Sequence, residues 1–173
     1  MALCYGCETC PWNGTFITSN DLQEEISESR YDIAAGTREV CPDEFVFTPL
    51  TATPHYIEVA TTTGNYGVYG TDSFYGRTMS CIKASATEDV KFVEIGLINE
   101  GNIYQYGVKD PTLINTEADI DALRGKHLLL HFNATTRKWT VDNTVASAPG
   151  TNLIEVVGGS VVNKTLQFKV LVS

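Results

Sequence analysis

The chain has 173 residues, of which 43% are hydrophobic and 19% are charged, and its formal net charge is −9. This length predicts one domain with a sizeable core, and the composition excludes an extended disordered chain. The acidic balance argues against a nucleic acid or an anionic membrane surface as the main partner, because both favour basic patches.

The first residues, MALCYGCETCPWNG, also indicate the cellular compartment in which the protein folds. They lack the basic region and the apolar run of a secretory signal peptide, and no stretch of the chain has the length of a membrane span. We therefore expect synthesis and folding in a reducing cytoplasm, without a membrane partner.

The cysteines are the most distinctive feature of the opening segment. Cys4, Cys7 and Cys10 stand three residues apart, and Cys41 is the candidate for a fourth sulfur. Such spacing suits a zinc or iron–sulfur site, disulfides within or between subunits, or free thiols. Five cysteines leave one unpaired in any scheme within a single chain, and we expect Cys81 to be a buried core thiol. The four N-terminal sulfurs are thus candidates for metal binding or for disulfides, with no resident cofactor required.

Residues 1–18 are predicted to form an irregular arm, which Trp12 and Phe16 would anchor through their apolar rings. The following stretch, SNDLQEEISESRYDI, predicts a short acidic helix, because a capping residue precedes it and Leu22 and Ile26 share one face. We take residues 1–43 as an arm with the cysteine cluster and this helix.

From residue 44 the hydrophobic period changes to two, which is typical of β-strands. Short runs rich in β-branched and aromatic residues alternate with Gly, Asn, Asp or Pro, and the last run places Leu166, Phe168, Val170 and Val172 on one face. Such even spacing predicts a single antiparallel β-sandwich or barrel over residues 44–173. The predicted strand runs are EFVFTPL, HYIEVATT, YGVYG, RTMSCIKA, DVKFVEIGLI, NIYQYGV, KHLLLHF, RKWTVDN, NLIEVVGG and TLQFKVLV.

One helix is predicted between these strands, in NTEADIDALRG. Thr116 would cap it with Asp119 three residues on, Ile120 and Leu123 would form its apolar stripe, and Gly125 would end it. The predicted fold is therefore mainly β, with one or two short helices.

Catalytic chemistry has no recognisable signal in this chain. None of the nucleophile-elbow, zinc-protease, dinucleotide-binding or P-loop motifs is present, and we expect no enzyme. His127 and His131 would lie about 13 Å apart on a strand, too far apart to bind one ion.

A glycine- and tyrosine-rich stretch, GNYGVYGTDSFYG, is the second candidate binding surface. Its rings, from Tyr66, Tyr69, Phe74 and Tyr75, have the amphipathic character of sugar-binding or partner-binding surfaces. The alternative is a glycine-bent hairpin with these aromatic rings in its core.

A 24-residue stretch, LRGKHLLLHFNATTRKWTVDNTVA, resembles the late strands of laminin-G and concanavalin-like jelly rolls. The resemblance implies a β-sandwich and, by analogy alone, sugar binding. The matching residues are Gly125, Lys126, His127, Phe132, Asn133, Thr135, Trp139, Val141, Asp142 and Asn143.

The whole chain is similar in character to bacteriophage virion structural proteins, through its all-β domain, Thr- and Gly-rich strands, irregular arm and acidic charge. This resemblance implies a capsid decoration protein that stabilises the shell through its N-terminal arm, with a location in the virion, a homo-oligomeric state and the major capsid protein as partner. A tail-tube or neck subunit, and a carbohydrate-binding module, are the alternatives.

Overall fold

A computed structural model describes residues 10–17, 31–47, 56–83, 85–99 and 101–171. These residues form a mainly β structure of antiparallel sheets with one short α-helix, which confirms the predicted fold class. The strands are β1 (Thr15–Ile17), β2 (Tyr31–Ile33), β3 (Phe45–Phe47), β4 (Glu58–Val59), β5 (Gly64–Tyr66), β6 (Phe74–Thr78), β7 (Val90–Val93), β8 (Ile95–Leu97), β9 (Ile103–Gly107), β10 (His127–Asn133), β11 (Lys138–Asp142), β12 (Ile154–Ser160) and β13 (Thr165–Val170).

The largest sheet has seven strands, in the order β1-β9-β13-β12-β10-β11, with β5 also paired to β10. Beyond β9, a parallel bridge joins Val108 to Val141 of β11, and the Lys109 amide donates to the Val141 carbonyl at 2.9 Å. This bridge brings the residues that follow β9 next to β11, the strand at the opposite end of the strand order. The large sheet therefore curls back on itself.

A second sheet, in the order β4-β3-β6-β8, covers the large sheet and completes the sandwich. Phe45 lies at the centre of the shared core, fully buried. Its ring lies 5.2–6.2 Å from five other aromatic rings, which come from both sheets: Phe74, Tyr104, Tyr106, Trp139 and Phe168.

The four-stranded sheet is buried on its other face as well. There Val46 belongs to a second apolar cluster, which includes Ile33 of β2, Val93 of β7 and Val40. Strands β2 and β7 pair into a two-stranded sheet. Since β3 presents Phe45 to one cluster and Val46 to the other, it joins the two cores.

The division of the chain at residue 43 stays a prediction. The described residues 31–43 pack with the second segment, since Ile33 and Val40 belong to the same cluster as residues beyond 44. Most of the predicted acidic helix, residues 19–30, lies outside the described residues, but its last three residues, Tyr31–Ile33, form strand β2 instead of helix.

Helix α1 (Glu117–Leu123) confirms the predicted internal helix. The Asp119 amide donates to the Thr116 hydroxyl while the Asp119 carboxylate accepts from the Thr116 amide, a complete capping box. Gly125 follows the helix at a φ of +71°, as expected of a residue just past a helix C-terminus.

Several predicted strands differ in their bounds from the observed ones; DVKFVEIGLI, for example, forms two strands, β7 and β8, and HYIEVATT forms only the two-residue β4. In YGVYG, the strand β5 ends at Tyr66, because Gly67 and Gly70 adopt positive φ values of 99° and 74° and turn the chain. Strand β6 ends at Thr78, so only the first two residues of the predicted run RTMSCIKA lie in this strand. Within the described ranges, no helix is long and apolar enough to cross a membrane.

Candidate functional site

A disulfide between Cys10 and Cys41 ties the N-terminal arm to the β domain. The two Cα atoms lie 5.5 Å apart, Cys41 is fully buried and Cys10 is half-buried. The bond therefore lies at the boundary between core and surface. We call the surrounding group, Cys10, Asn13, Glu39, Cys41 and Cys81, the arm junction.

Hydrogen bonds hold the backbone of Cys41 from both sides. Its amide donates to Glu44 Oε1 at 2.6 Å, and its carbonyl accepts from the Thr78 hydroxyl at 2.7 Å. Glu44 is itself fully buried, and Arg38 neutralises it through two contacts at 3.0 and 2.5 Å. Because a buried carboxylate is costly unless it is paired and hydrogen-bonded, this ion pair fixes the segment that carries Cys41.

Asn13 provides a second attachment of the arm. Its side chain is almost fully buried, donates from Nδ2 to the Pro42 carbonyl at 3.2 Å, and accepts from the Trp139 amide at 2.9 Å. The next residue, Gly14, has a φ of +152°, and a Cβ there would lie only 2.4 Å from the Tyr106 ring. Only glycine lets the arm pass this closely over the core.

Trp12 lies between these two attachments and is 53% exposed. Cys10 is fixed covalently on one side and Asn13 by its hydrogen bonds on the other. Strand β1 then continues as an edge strand, with Phe16 opposite Tyr104 of β9. Trp12 is thus presented to solvent from an attached backbone.

Cys81 is also disulfide-bonded and only partly buried, so the expectation of a buried core thiol is wrong. Val40 and Ile82 exchange two backbone hydrogen bonds, of 3.0 and 2.9 Å, across an antiparallel bridge. Cys41 directly follows Val40 and Cys81 directly precedes Ile82, so the two cysteines lie on neighbouring stretches of backbone beside this bridge.

Glu39 is the acidic member of the arm junction. One of its carboxylate oxygens and the sulfurs of Cys10 and Cys41 all lie within 4.8 Å of one another. Arg137 Nη1 donates to Glu39 Oε1 at 2.6 Å. The structure thus brings together two of the four predicted sulfur ligands, Cys10 and Cys41, whereas Cys4 and Cys7 lie outside the described residues.

The other ring predicted on the arm, Phe16, packs against the core. It lies 5.8 Å from the Tyr104 ring, and the Arg77 guanidinium lies 5.8 Å from the Phe16 ring centroid. These contacts attach strand β1 to the core, and a partner-binding role of Phe16 stays a prediction.

Two of the four hairpin rings lie in contacts within the domain. Phe74 is buried and packs on Phe45 and Phe47, so its ring offers no binding surface. Tyr75 is half-buried against Tyr31, and their hydroxyls are hydrogen-bonded. For Phe74, the alternative of a hairpin with aromatic rings in its core is the better description.

Of the other two hairpin rings, Tyr66 also packs against rings of the domain, and Tyr69 is exposed. Tyr66 is half-buried and lies 5.4 Å from the Trp139 ring, whereas Tyr69 is 58% exposed. The Asp72 carboxylate accepts from the amides of Gly67 and Val68, at 2.8 and 3.1 Å, and so fixes the loop that carries Tyr69.

A polar cluster lies on the outer face of the large sheet. The side chain of Asp142 is buried and pairs with Lys109 Nζ at 2.7 Å. Burial by itself raises the pKa of Asp142, but the hydrogen bonds from Lys109 and Thr144 outweigh it and hold this pKa below its usual value. Nearby, His131 Nδ1 contacts Asn65 Oδ1 at 2.8 Å. Desolvation, and then the charge of Lys109, lower the pKa of His131.

Sequence reasoning missed Asn13, Glu39 and the disulfide of Cys81. An asparagine in a Thr-containing turn, a glutamate two residues before a cysteine and an isolated cysteine are common patterns, so none of them is a signal in one sequence. Comparison of the chain with protein-family models, curated proteins and solved structures found no match.

Proposed function

We propose that this protein is a bacteriophage virion structural protein that decorates the capsid exterior and contacts the shell through its N-terminal arm. The observation that carries the proposal is the fixed and exposed Trp12. Tryptophan is the residue type most enriched among interface hot spots. A tryptophan held in place before binding also loses little conformational entropy when a partner covers it.

The attachment of the arm supports the same proposal. A contact residue on a cross-linked arm transmits load to the β domain, as a protein that stabilises a shell requires. Individually modest contacts add up when symmetry repeats them over a particle. The proposed partners are further copies of this chain and the major capsid protein, and the net charge of −9 suits an outer surface away from the packaged nucleic acid.

Co-sedimentation with purified virus particles tests the proposal. We expect the full chain to bind capsids, and Trp12→Ala to weaken binding by about 30-fold, the effect of a hot-spot residue worth about 2 kcal/mol. Leu113→Ala is the matched control, because Leu113 is a similarly exposed apolar residue at 48%. Absence of co-sedimentation, or equal binding by the Trp12 and Leu113 variants, would contradict the proposal. Binding to isolated tails but not to capsids would favour the tail-tube or neck alternative.

The fixed and exposed Tyr69 favours a second candidate function, a carbohydrate-binding module. An aromatic face on a loop fixed by Asp72 suits stacking against a sugar ring. A glycan array tests this function: binding that Tyr69→Ala abolishes and Trp12→Ala leaves intact would support it. An array without binding would exclude the sugars presented.

A further inference from the structure

We infer that the reduced protein binds one zinc ion at the arm junction, through Cys10, Glu39 and Cys41, with Cys81 as the fourth ligand. This inference is independent of the proposed function. It concerns a second state of the sulfurs that form the disulfide in the structure.

The three candidate ligands Cys10, Glu39 and Cys41 are grouped closely enough to reach one zinc ion. Tetrahedral zinc with bonds of about 2.0–2.3 Å places its ligand atoms about 3.5–3.8 Å apart. The sulfurs of Cys10 and Cys41 and a Glu39 oxygen already lie within 4.8 Å of one another. Two of these atoms are bonded in the disulfide, so they must first separate on reduction, after which rotation of the side chains lets the three atoms occupy three corners of the tetrahedron.

The sulfur of Cys81 does not belong to this group in the disulfide-bonded structure, but the backbone of Cys81 lies close enough to supply the fourth ligand. Cys81 directly precedes Ile82 and Cys41 directly follows Val40, and Val40 and Ile82 form an antiparallel bridge, so the backbones of the two cysteines are neighbours. Once the disulfide of Cys81 is reduced, its sulfur becomes a thiol ligand beside Cys41. Two thiolates from the segments beside the Val40–Ile82 bridge, one thiolate from the arm and a carboxylate make a closed site of the structural type.

The surroundings of the arm junction favour a bound cation after reduction. Cys41 is fully buried, and a thiolate there is unfavourable without a positive partner. Arg137 donates to Glu39 Oε1, as an outer hydrogen-bond donor that orients a ligating carboxylate does. A divalent ion supplies the charge that the thiolates need.

The two states exclude each other, because they use the same sulfurs. A dithiol reductant transfers two electrons and two protons to the disulfide, giving two thiols on the protein and a disulfide on the reductant. The disulfide of Cys81 takes up two electrons and two protons in the same way. Zinc then binds Cys10, Cys41 and Cys81 as thiolates and releases their three protons. A reducing compartment thus favours the metal-bound junction, and an oxidising one favours the disulfide.

Native mass spectrometry and a cobalt titration of the full chain test the inference. The protein is reduced with a phosphine, desalted without oxygen and mixed with zinc or cobalt alone. We expect one zinc per reduced chain and none on the oxidised chain. We also expect cobalt to give the intense near-ultraviolet absorption of thiolate ligation.

Two variants separate this site from adventitious metal binding. We expect Cys10→Ala/Cys41→Ala to lose the zinc, and Glu39→Gln to lower its affinity at least tenfold. The matched control is Glu58→Gln, because Glu58 is an exposed glutamate outside the arm junction. Intact disulfide bonds in oxidised Glu39→Gln would show that this variant folds, so its result stands even if the double variant unfolds. Zinc binding that survives both changes, or a reduced wild-type chain without zinc, would overturn the inference.

Discussion

Replacing Cys10 and Cys41 together by alanine removes the covalent attachment of the arm and should lower the free energy of unfolding. The cysteines are 31 residues apart. With that loop length, the chain-entropy model gives a loss of about 3.7 kcal/mol at 25 °C. This figure is an upper bound, because the second disulfide, at Cys81, also restrains the unfolded chain. The double variant avoids leaving one reactive thiol behind.

Denaturation by guanidinium, followed by tryptophan fluorescence, measures the change. We expect a lower free energy of unfolding for Cys10→Ala/Cys41→Ala. We also expect a larger dependence on denaturant, because the released unfolded chain exposes more surface. For a chain of this length, a loss of about 3 kcal/mol corresponds to a melting temperature lower by roughly 6–12 °C.

The control is a mass measurement showing that the oxidised wild type carries the Cys10–Cys41 bond. With that bond present, a free energy of unfolding of the double variant within about 0.5 kcal/mol of the wild-type value would refute the reasoning. The alanine at the buried position 41 adds a packing loss of its own. Cys41→Ala in the fully reduced protein measures that loss separately, since the disulfide is then absent from both chains.

Three further changes test the packing, the helix cap and the buried ion pair. Gly76→Ala should destabilise the protein by about 1–3 kcal/mol, because its Cβ would lie 2.2 Å from Ile95 Cγ2; thermal unfolding measures this, and an unchanged melting temperature would contradict the packing. Thr116→Ala should cost about 1 kcal/mol in urea unfolding through loss of the capping box, whereas Thr116→Ser should cost less. The lowered pKa of Asp142 contributes stability that is present above its unfolded value of about 3.8 and is lost as the pH falls through the folded value. The stability difference between the wild type and Asp142→Asn should therefore shrink below pH 4, and a difference independent of pH would rule out this contribution.

Local patterns were sufficient for most of the elements. Residues 165–170 alternate strictly, and β13 buries Leu166, Phe168 and Val170 as predicted. The cap at Thr116 and the glycine at position 125 together predicted α1, because capping depends on residues three or four apart. Strand ends were predicted less accurately in the stretch around Tyr66, where the glycines of one hairpin allow several turns.

The candidate site was predicted only in outline. The cysteine spacing indicated a sulfur site that includes Cys10 and Cys41, and the structure pairs these two. The roles of Glu39 and Cys81 depend on contacts between segments that are far apart in the sequence, such as the bridge between Val40 and Ile82. One sequence carries no local pattern for such contacts.

By itself, the sequence determined a mainly β chain with a sulfur-rich arm, because periodicity, capping and composition act over a few residues. Only the tertiary structure decided which cysteines pair, that Phe74 is buried, and that Trp12 and Tyr69 are exposed. A ring in a glycine-rich stretch has the same local sequence signature whether it faces the core or the solvent. The packing of the two sheets removes one ring from water and leaves the other exposed.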